Sequence, residues 1–415
     1  MKASLIHLFQ KIGRASLAIG LQNSHSGNMA CLFRASGGSL KLAITRSGAQ
    51  KGDLEPDDIL FINMAGRKEA GASSELVVHR KVLGLKGVGA SFHAHARELT
   101  LMTLAFSKQK RKIQFFSPLD PLGLTYLVSI PVIKVKKAYG SPELAEAVAC
   151  GLESFPVVAI RGHGLFSRGK TLREAFFYAG LADFSARVWR LLECLKLRAE
   201  ERAEKERKWR GKLFSPPSPY QPAWEREMKV SLEKNKLKEI DKTRNRLFLS
   251  QLSPFFTGSL SLRERKQIIY AFPASTPLEM GGPLNIFDSS CGPEDNEFFW
   301  HRLIYEKTSA VSVIRAFMAE AEALAWLLLP TDGQLSFFQP LDVEGRVLHP
   351  EIPVLAPPVE AAEFLKLLKK YELLIIRGGG VWAMSSLSLS QALHHLSSLK
   401  DSGHYFLGLK ELNLI

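Results

Sequence analysis

The stretch Ala90-Ser91-Phe92-His93-Ala94-His95-Ala96 decides how this chain is read. Val88 to His95 reads as a strand, and residues two apart on an extended strand share a face. His93 and His95 therefore present two imidazoles to one point. A third histidine, His163, follows the apolar run Phe155-Pro156-Val157-Val158-Ala159-Ile160, which reads as a buried strand. Gly162 and Gly164 flank it, so that backbone and an ion can approach closely. Three histidines with an open fourth position are the donor set of a catalytic zinc site. A His-x-His pair by itself is equally an ordinary feature of a half-buried strand, so the flanking residues carry the decision.

Upstream stand Ser26-Gly27-Asn28, then Thr45-Arg46-Ser47-Gly48, then Ser73-Ser74-Glu75 with His79 four residues after the glutamate. Downstream, His163-Gly164-Leu165 is followed by Gly169-Lys170-Thr171-Leu172 and Glu174-Ala175-Phe176. In this order the blocks resemble the class II aldolase/adducin family across roughly the first half of the chain. The resemblance implies an α/β fold, a three-layer α/β/α domain whose central sheet is largely antiparallel and flanked by helices. It assigns His93, His95 and His163 to a metal, and Asn28, Ser47, Gly48, Ser73 and Ser74 to a substrate phosphate. Residue chemistry agrees, because hydroxyls, an amide and glycine N–H groups make a neutral anion cradle. Each of these residues taken singly also suits an ordinary turn or cap. Ser73 to Leu83 reads as a helix, placing Ser73 and Ser74 at a terminus whose dipole favours anions.

Glu75 is the expected acid/base, with a fourth metal ligand or a helix-start charge as the plainer roles. The implied activity is that of a metal-dependent lyase, an aldolase cleaving or forming a C–C bond in a phosphorylated ketose through a metal-stabilised enediolate. A dehydratase or epimerase on a similar sugar phosphate, and a non-enzymatic adducin-like scaffold, are the alternatives. Epimerase-like members carry Asp where this chain has Glu75, which favours lyase chemistry. The expected cofactor is zinc, although three imidazoles also accept manganese or cobalt. The chain departs from the aldolases at Val135-Lys136-Lys137-Ala138-Tyr139-Gly140, where a tyrosine of the family is replaced by lysines and Tyr139 comes later.

The chain has 415 residues, 46% of them apolar, enough for two or three packed domains. Its formal net charge is +14, and much of the excess lies between Lys196 and Arg246. Acidic residues are mixed in and the aromatics are not interleaved in the manner of stacking platforms, so the segment reads as a solvated helix end and not as a nucleic-acid surface. Cys31, Cys150, Cys194 and Cys291 are widely spaced, which argues against a zinc ribbon or disulfide framework and for a reducing, cytoplasmic setting. Met1 to Gln22 reads as an amphipathic helix, not a leader, and no apolar run of about 18 residues predicts a membrane span.

The second half reads as a weakened copy of the first. Glu297, His301 and Arg302 stand 222 positions after Glu75, His79 and Arg80. At the same offset Phe115-Phe116-Ser117-Pro118-Leu119-Asp120 becomes Phe337-Phe338-Gln339-Pro340-Leu341-Asp342, and Ile130-Pro131-Val132 becomes Ile352-Pro353-Val354. Ile160-Arg161-Gly162-His163-Gly164 is echoed by Ile376-Arg377-Gly378-Gly379-Gly380. An offset of 222 that holds from Glu75 to Val132, with the later echo six positions closer, predicts an internal duplication. His93 becomes Arg315, His95 becomes Phe317, His163 becomes Gly379 and Asn28 becomes Ser259, so the copy is expected to bind no metal. The expected domains are 1–210, catalytic; 211–245, a Pro-rich and basic linker; and 246–415, degenerate. Two such chains in a homo-oligomer would form a pseudo-fourfold ring.

Overall fold

The computed structural model describes residues 2–23, 25–35, 37–66, 69–106, 113–195, 204–205, 234–253, 257–264, 267–271, 284–287 and 297–415. Contacts divide the chain into two compact units, residues 1–118 with 122–187, and residues 119–121 with 188–415. Residues 211–233 of the expected linker, and Cys291, lie outside the described residues.

The elements of the first half are α1 (Lys2–Ala18), β1 (Asn28–Arg34), β2 (Leu40–Thr45), β3 (Ile59–Asn63), α2 (Leu76–Leu83), β4 (Ala90–Ala94), α3 (Arg97–Ala105) and β5 (Ile113–Phe116). They continue with α4 (Pro121–Tyr126), β6 (Ile130–Ile133), α5 (Pro142–Ser154), β7 (Val157–Ile160), β8 (Gly164–Gly169) and α6 (Leu172–Cys194). The sheet runs β3-β2-β1-β4-β8-β7-β6-β5. Every neighbouring pair is antiparallel except β6 with β7.

Alternation along β4 separates the two faces of this sheet. Phe92 packs on Phe176 of α6, with ring centroids 5.6 Å apart. His93 faces the opposite way, stacked on Phe166 of β8 at 4.1 Å and 13°. On the His93 side, Val78 and Val82 of α2 and Leu144, Val148 and Leu152 of α5 join Ile44, Val158 and Ile160 in one buried cluster. Burying each such aliphatic side chain stabilises the fold by roughly 1.5–3 kcal/mol. A serine with Glu143 close behind it predicts a helix start at Ser141, and Ser141 does cap α5, accepting a hydrogen bond from the Leu144 amide.

Three expectations shift. The β4 strand ends at Ala94, so His95 lies one residue beyond it. The α2 helix begins at Leu76 and not at Ser73, because the Ser73 hydroxyl accepts from the Glu75 amide and turns the chain before the helix starts. The apolar stretch Tyr126 to Val135 predicts a strand broken by Pro131, but Tyr126 instead ends α4, leaving Ile130–Ile133 as the strand. In addition, a helix, α7 (Lys234–Leu249), begins inside the stretch read as a linker.

The second unit continues with β9 (Ser259–Glu264), β10 (Gln267–Ala271), β11 (Leu284–Phe287), α8 (Glu297–Lys307), β12 (Ser312–Ala316), α9 (Ala319–Leu328) and β13 (Leu335–Phe338). After these come α10 (Val343–Leu348), β14 (Ile352–Leu355), α11 (Ala361–Tyr371), β15 (Leu373–Ile376), β16 (Gly380–Ser385) and α12 (Leu389–Glu411). Its sheet order, β11-β10-β9-β12-β16-β15-β14-β13, repeats that of the first. The parallel pair again falls at the same place, between β14 and β15. No helix among the described residues is long and apolar enough to cross a membrane.

The glycine after His163 answers to strand packing and not to an ion. Gly164 has φ +158°, and a Cβ there would lie 2.3 Å from the Ala94 carbonyl oxygen. Gly164→Ala is therefore expected to destabilise the protein by about 2 kcal/mol or more, since backbone must move to admit the methyl. Urea denaturation of the variant beside the parent checks this.

Candidate functional site

Three strands and two turns assemble the histidines. On β4, Asn28 of β1 lies opposite His93 on one side, and Phe166 of β8 lies opposite it on the other. His163 sits in the turn between β7 and β8, where its amide bonds to the Ile160 carbonyl at 3.0 Å. The ring centroids of His93, His95 and His163 are 4.8–5.0 Å apart. One ring nitrogen from each lies within 4.8 Å of the others, and no carboxylate belongs to the group.

The chemistry of this donor set suits a divalent ion. The His93 Nδ1–H donates to the Leu165 carbonyl at 2.8 Å, which fixes the tautomer and leaves Nε2 as the bare nitrogen. The buried His163 Nδ1 has no hydrogen-bond partner. Burial holds His93 well below the usual imidazole range, helped by His163 and His95. Burial, with His95 adding repulsion, takes His163 down to about 4, and burial lowers His95 as well. All three are thus neutral at pH 7, the form that ligates.

Of the residues read as an anion cradle, Asn28 lies opposite His93. Ser47 and Gly48 are exposed, and Gly48, at φ +74°, has open space where a Cβ would be. The Ser47 amide donates to the Gly71 carbonyl at 2.9 Å, and Arg46 bridges to Ala72. These contacts bring the loop of Ser47 to the loop that carries Ser73 and Ser74. Ser74 is exposed and Ser73 is buried. Asn28 is buried, and its Oδ1 accepts from His79 Nε2 at 2.5 Å. His79 is fully buried on α2, and burial takes it down to about 3, so its neutral ring acts as a fixed donor.

His79 is the residue whose role the sequence leaves unstated. It recurs at i+4 from Glu75, and that spacing is the signal that points it the same way as the glutamate. Gln22 carries no such signal. Its Oε1 accepts from Ser16 at 2.8 Å and its Nε2 donates to the His93 carbonyl at 2.9 Å. Gly27 lies beneath this contact at φ +74°, where a Cβ would be 2.6 Å from the same carbonyl.

Glu75 is 2% exposed. The Gly140 amide lies 3.3 Å and 3.4 Å from its two carboxylate oxygens. Burial pushes the carboxyl up to about 7, against the opposing pull of that amide. A carboxyl in this range can take or give a proton near neutral pH. Tyr139, next to Gly140, is 70% exposed. The Lys136 and Lys137 amides lie 3.3 Å from the Glu143 carboxylate.

At the corresponding strand positions of the second unit, Arg315 of β12 lies opposite Ser259 of β9 and Trp382 of β16. Arg315 is fully buried, its Nε donating to the Gly379 carbonyl at 2.8 Å. Its guanidinium lies over the Phe317 and Trp382 rings at 4.8 and 5.3 Å. His301 of α8 meets Ser259 at 2.9 Å and Ser261 at 2.6 Å.

Comparison with known proteins agrees with the geometry of the first unit. Residues 4–190 match the profile of the class II aldolase and adducin N-terminal domain. Over 183 residues the chain is 30% identical to a methylthioribulose-1-phosphate dehydratase of a Bradyrhizobium species, covering 41% of this chain and 83% of that protein. Over 175 residues it is 30% identical to a 5-methylthioribulose-1-phosphate/5-deoxyribulose-1-phosphate aldolase of Escherichia coli, covering 41% of this chain and 76% of that protein. Among solved structures, the L-fuculose-1-phosphate aldolase of Thermus thermophilus is 33% identical, covering 45% of this chain and 93% of that one with a TM-score of 0.41. The ordered blocks, the histidine cluster they build and the relatives at this level of identity lead to one conclusion: the chain belongs to the class II aldolase and adducin family.

Proposed function

We propose that the first unit is a divalent-metal-dependent lyase acting on a phosphorylated ketose, with aldol cleavage as its reaction. The observation that carries this reading is the group of three neutral imidazoles with no carboxylate among them. His93, His95 and His163 would hold the ion, zinc by preference of the donor set. Bound there, a divalent cation supplies Lewis-acid stabilisation of charge developing on substrate oxygens.

The chain's own residues do the rest. Asn28, held by His79, and the exposed Ser47, Gly48 and Ser74 with Ser73 bind the phosphate and fix the sugar's direction. Glu75 moves the proton. In aldol cleavage it takes the proton from the hydroxyl next to the breaking C–C bond and returns it to the enediolate carbon. Dehydration is the second reading, favoured by the dehydratase relative. There Glu75 takes the proton from the carbon beside the carbonyl and returns it to the hydroxyl of the next carbon, which leaves as water. A 1-phosphorylated ribulose such as the relatives' 5-methylthio or 5-deoxy compounds separates the two, since cleavage yields dihydroxyacetone phosphate and an aldehyde whereas dehydration keeps the carbon chain whole.

The second unit is, in this proposal, a duplicated domain without a working metal site. The repeated strand order supports it, as does the register that puts Arg315 where His93 stands. The terminal strands β5 and β13 expose Ile113, Phe115, Leu335 and Phe337, which supports association of two chains into a pseudo-fourfold ring. The free cysteines Cys31, Cys150 and Cys194 fit a reducing, cytoplasmic setting.

Metal analysis of the purified, zinc-reconstituted protein is expected to find about one equivalent per chain, lost in His163→Ala. Two equivalents would give the second unit a site, and none would remove the lyase reading. Glu75→Gln is expected to keep the metal and lose about 10²-fold or more in turnover.

Glu75 also sets a pH dependence. Its folded value is about 7 against 4.5 for a free carboxyl, so the folded chain keeps a proton that the unfolded chain releases. Stability from this group therefore falls as pH rises from 4.5 through 7, by on the order of 3 kcal/mol. In EDTA-treated protein, Glu75→Gln is expected to be no more stable than the parent at pH 4.5 and clearly more stable at about pH 8. Thermal denaturation at both values reads the difference.

A further inference from the structure

One buried lysine lies beneath the loops read as the anion site. Lys51 follows the Ser47–Gly48 turn in a short 3-10 segment, Lys51–Asp53, and is 1% exposed. Its Nζ donates to the Ala49 carbonyl at 2.6 Å and to the His25 carbonyl at 3.4 Å. The first carbonyl belongs to the loop of Ser47 and Gly48, the second to the loop that leads into Asn28. Helix α1 seals the lysine in. A Cβ on Gly13 would lie 2.2 Å from the Lys51 carbonyl oxygen, and one on Gly52 would lie 2.4 Å from Leu17.

An ammonium has three donors, and two are used here on neutral carbonyls. Among the described residues no carboxylate lies within ion-pair distance of Nζ, and Asp58 acts on it only through space. A buried charge without a contacting counter-ion is costly, and burial accordingly lowers this amine to about 8. An anion bound between the two loops would offset that cost. The Ser47 amide bond to Gly71 then joins the third loop, that of Ser73 and Ser74, to the same frame.

We propose that Lys51 is a positioning residue of the anion site, holding the Asn28 and Ser47–Gly48 loops together through the His25 and Ala49 carbonyls and supplying the positive charge that a substrate phosphate completes. The inference rests on the reading of these loops as a phosphate site. It assigns the cradle, otherwise made of neutral groups, a cation set beneath it.

The test uses the full chain with inorganic phosphate as probe, titrated by calorimetry against the parent, Lys51→Met and Ser47→Ala. Both variants are expected to bind phosphate at least about tenfold more weakly than the parent. Phosphate binding by Lys51→Met equal to the parent, with Ser47→Ala impaired, would overturn the role of Lys51 and leave the loops as the phosphate site. No binding by the parent would remove the phosphate reading itself. With a turned-over sugar phosphate, Lys51→Met is expected to raise KM about tenfold and leave kcat within about threefold, whereas general loss of loop order would lower kcat as well. Should Lys51→Met not fold, hydrogen exchange in the parent decides. Phosphate is expected to slow the amides of His25–Met29 and Arg46–Gln50 together, and protection of one loop alone would overturn the proposal.

Discussion

The pairing of β4 with β1 on one edge and β8 on the other is the constraint on which the site depends. It sets Asn28, His93 and Phe166 in one row across the sheet. A slip of one residue would turn His93 to the opposite face, where Phe92 packs on Phe176. Two close approaches hold the register. Gly27 lies against the His93 carbonyl and Gly164 against the Ala94 carbonyl, both at distances that a Cβ would violate. Gln22 adds a hydrogen bond to the His93 carbonyl from the chain that follows α1.

Burial then does the electrostatic work. It keeps His93, His95 and His163 neutral and available as ligands, and it keeps His79 neutral as a donor to Asn28. The same burial acts in the opposite sense on Glu75, raising it into the range where a proton can move in either direction at neutral pH. One apolar setting on the α2 side of the sheet thus prepares both the nitrogen donors and the carboxyl.

The second unit shows what the same strand order does with other side chains. Arg315 stands in the row that His93 occupies in the first unit, and its charge is satisfied by the Gly379 carbonyl and two aromatic faces. His301 is held between Ser259 and Ser261 much as His79 is held by Asn28. The two sheets share one strand order, and the histidine cluster is confined to the first unit among the described residues.

The chain's own pattern determined the strands around the three histidines, the α5 cap at Ser141 and the internal offset of 222 positions, because these rest on local spacing and residue type. Strand and helix limits shifted by a few residues where side chains bond locally, as Ser73 does before α2. The convergence of His163 on His93 and His95, the bond from His79 to Asn28 and the burial of Lys51 were decided only by the tertiary structure. Each depends on elements distant in sequence meeting across the sheet or against α1. No periodicity in a single stretch encodes such a meeting. Nor does any local pattern state that a lysine will be sealed beneath a helix at Gly13, since that burial arises from the fit of two backbones.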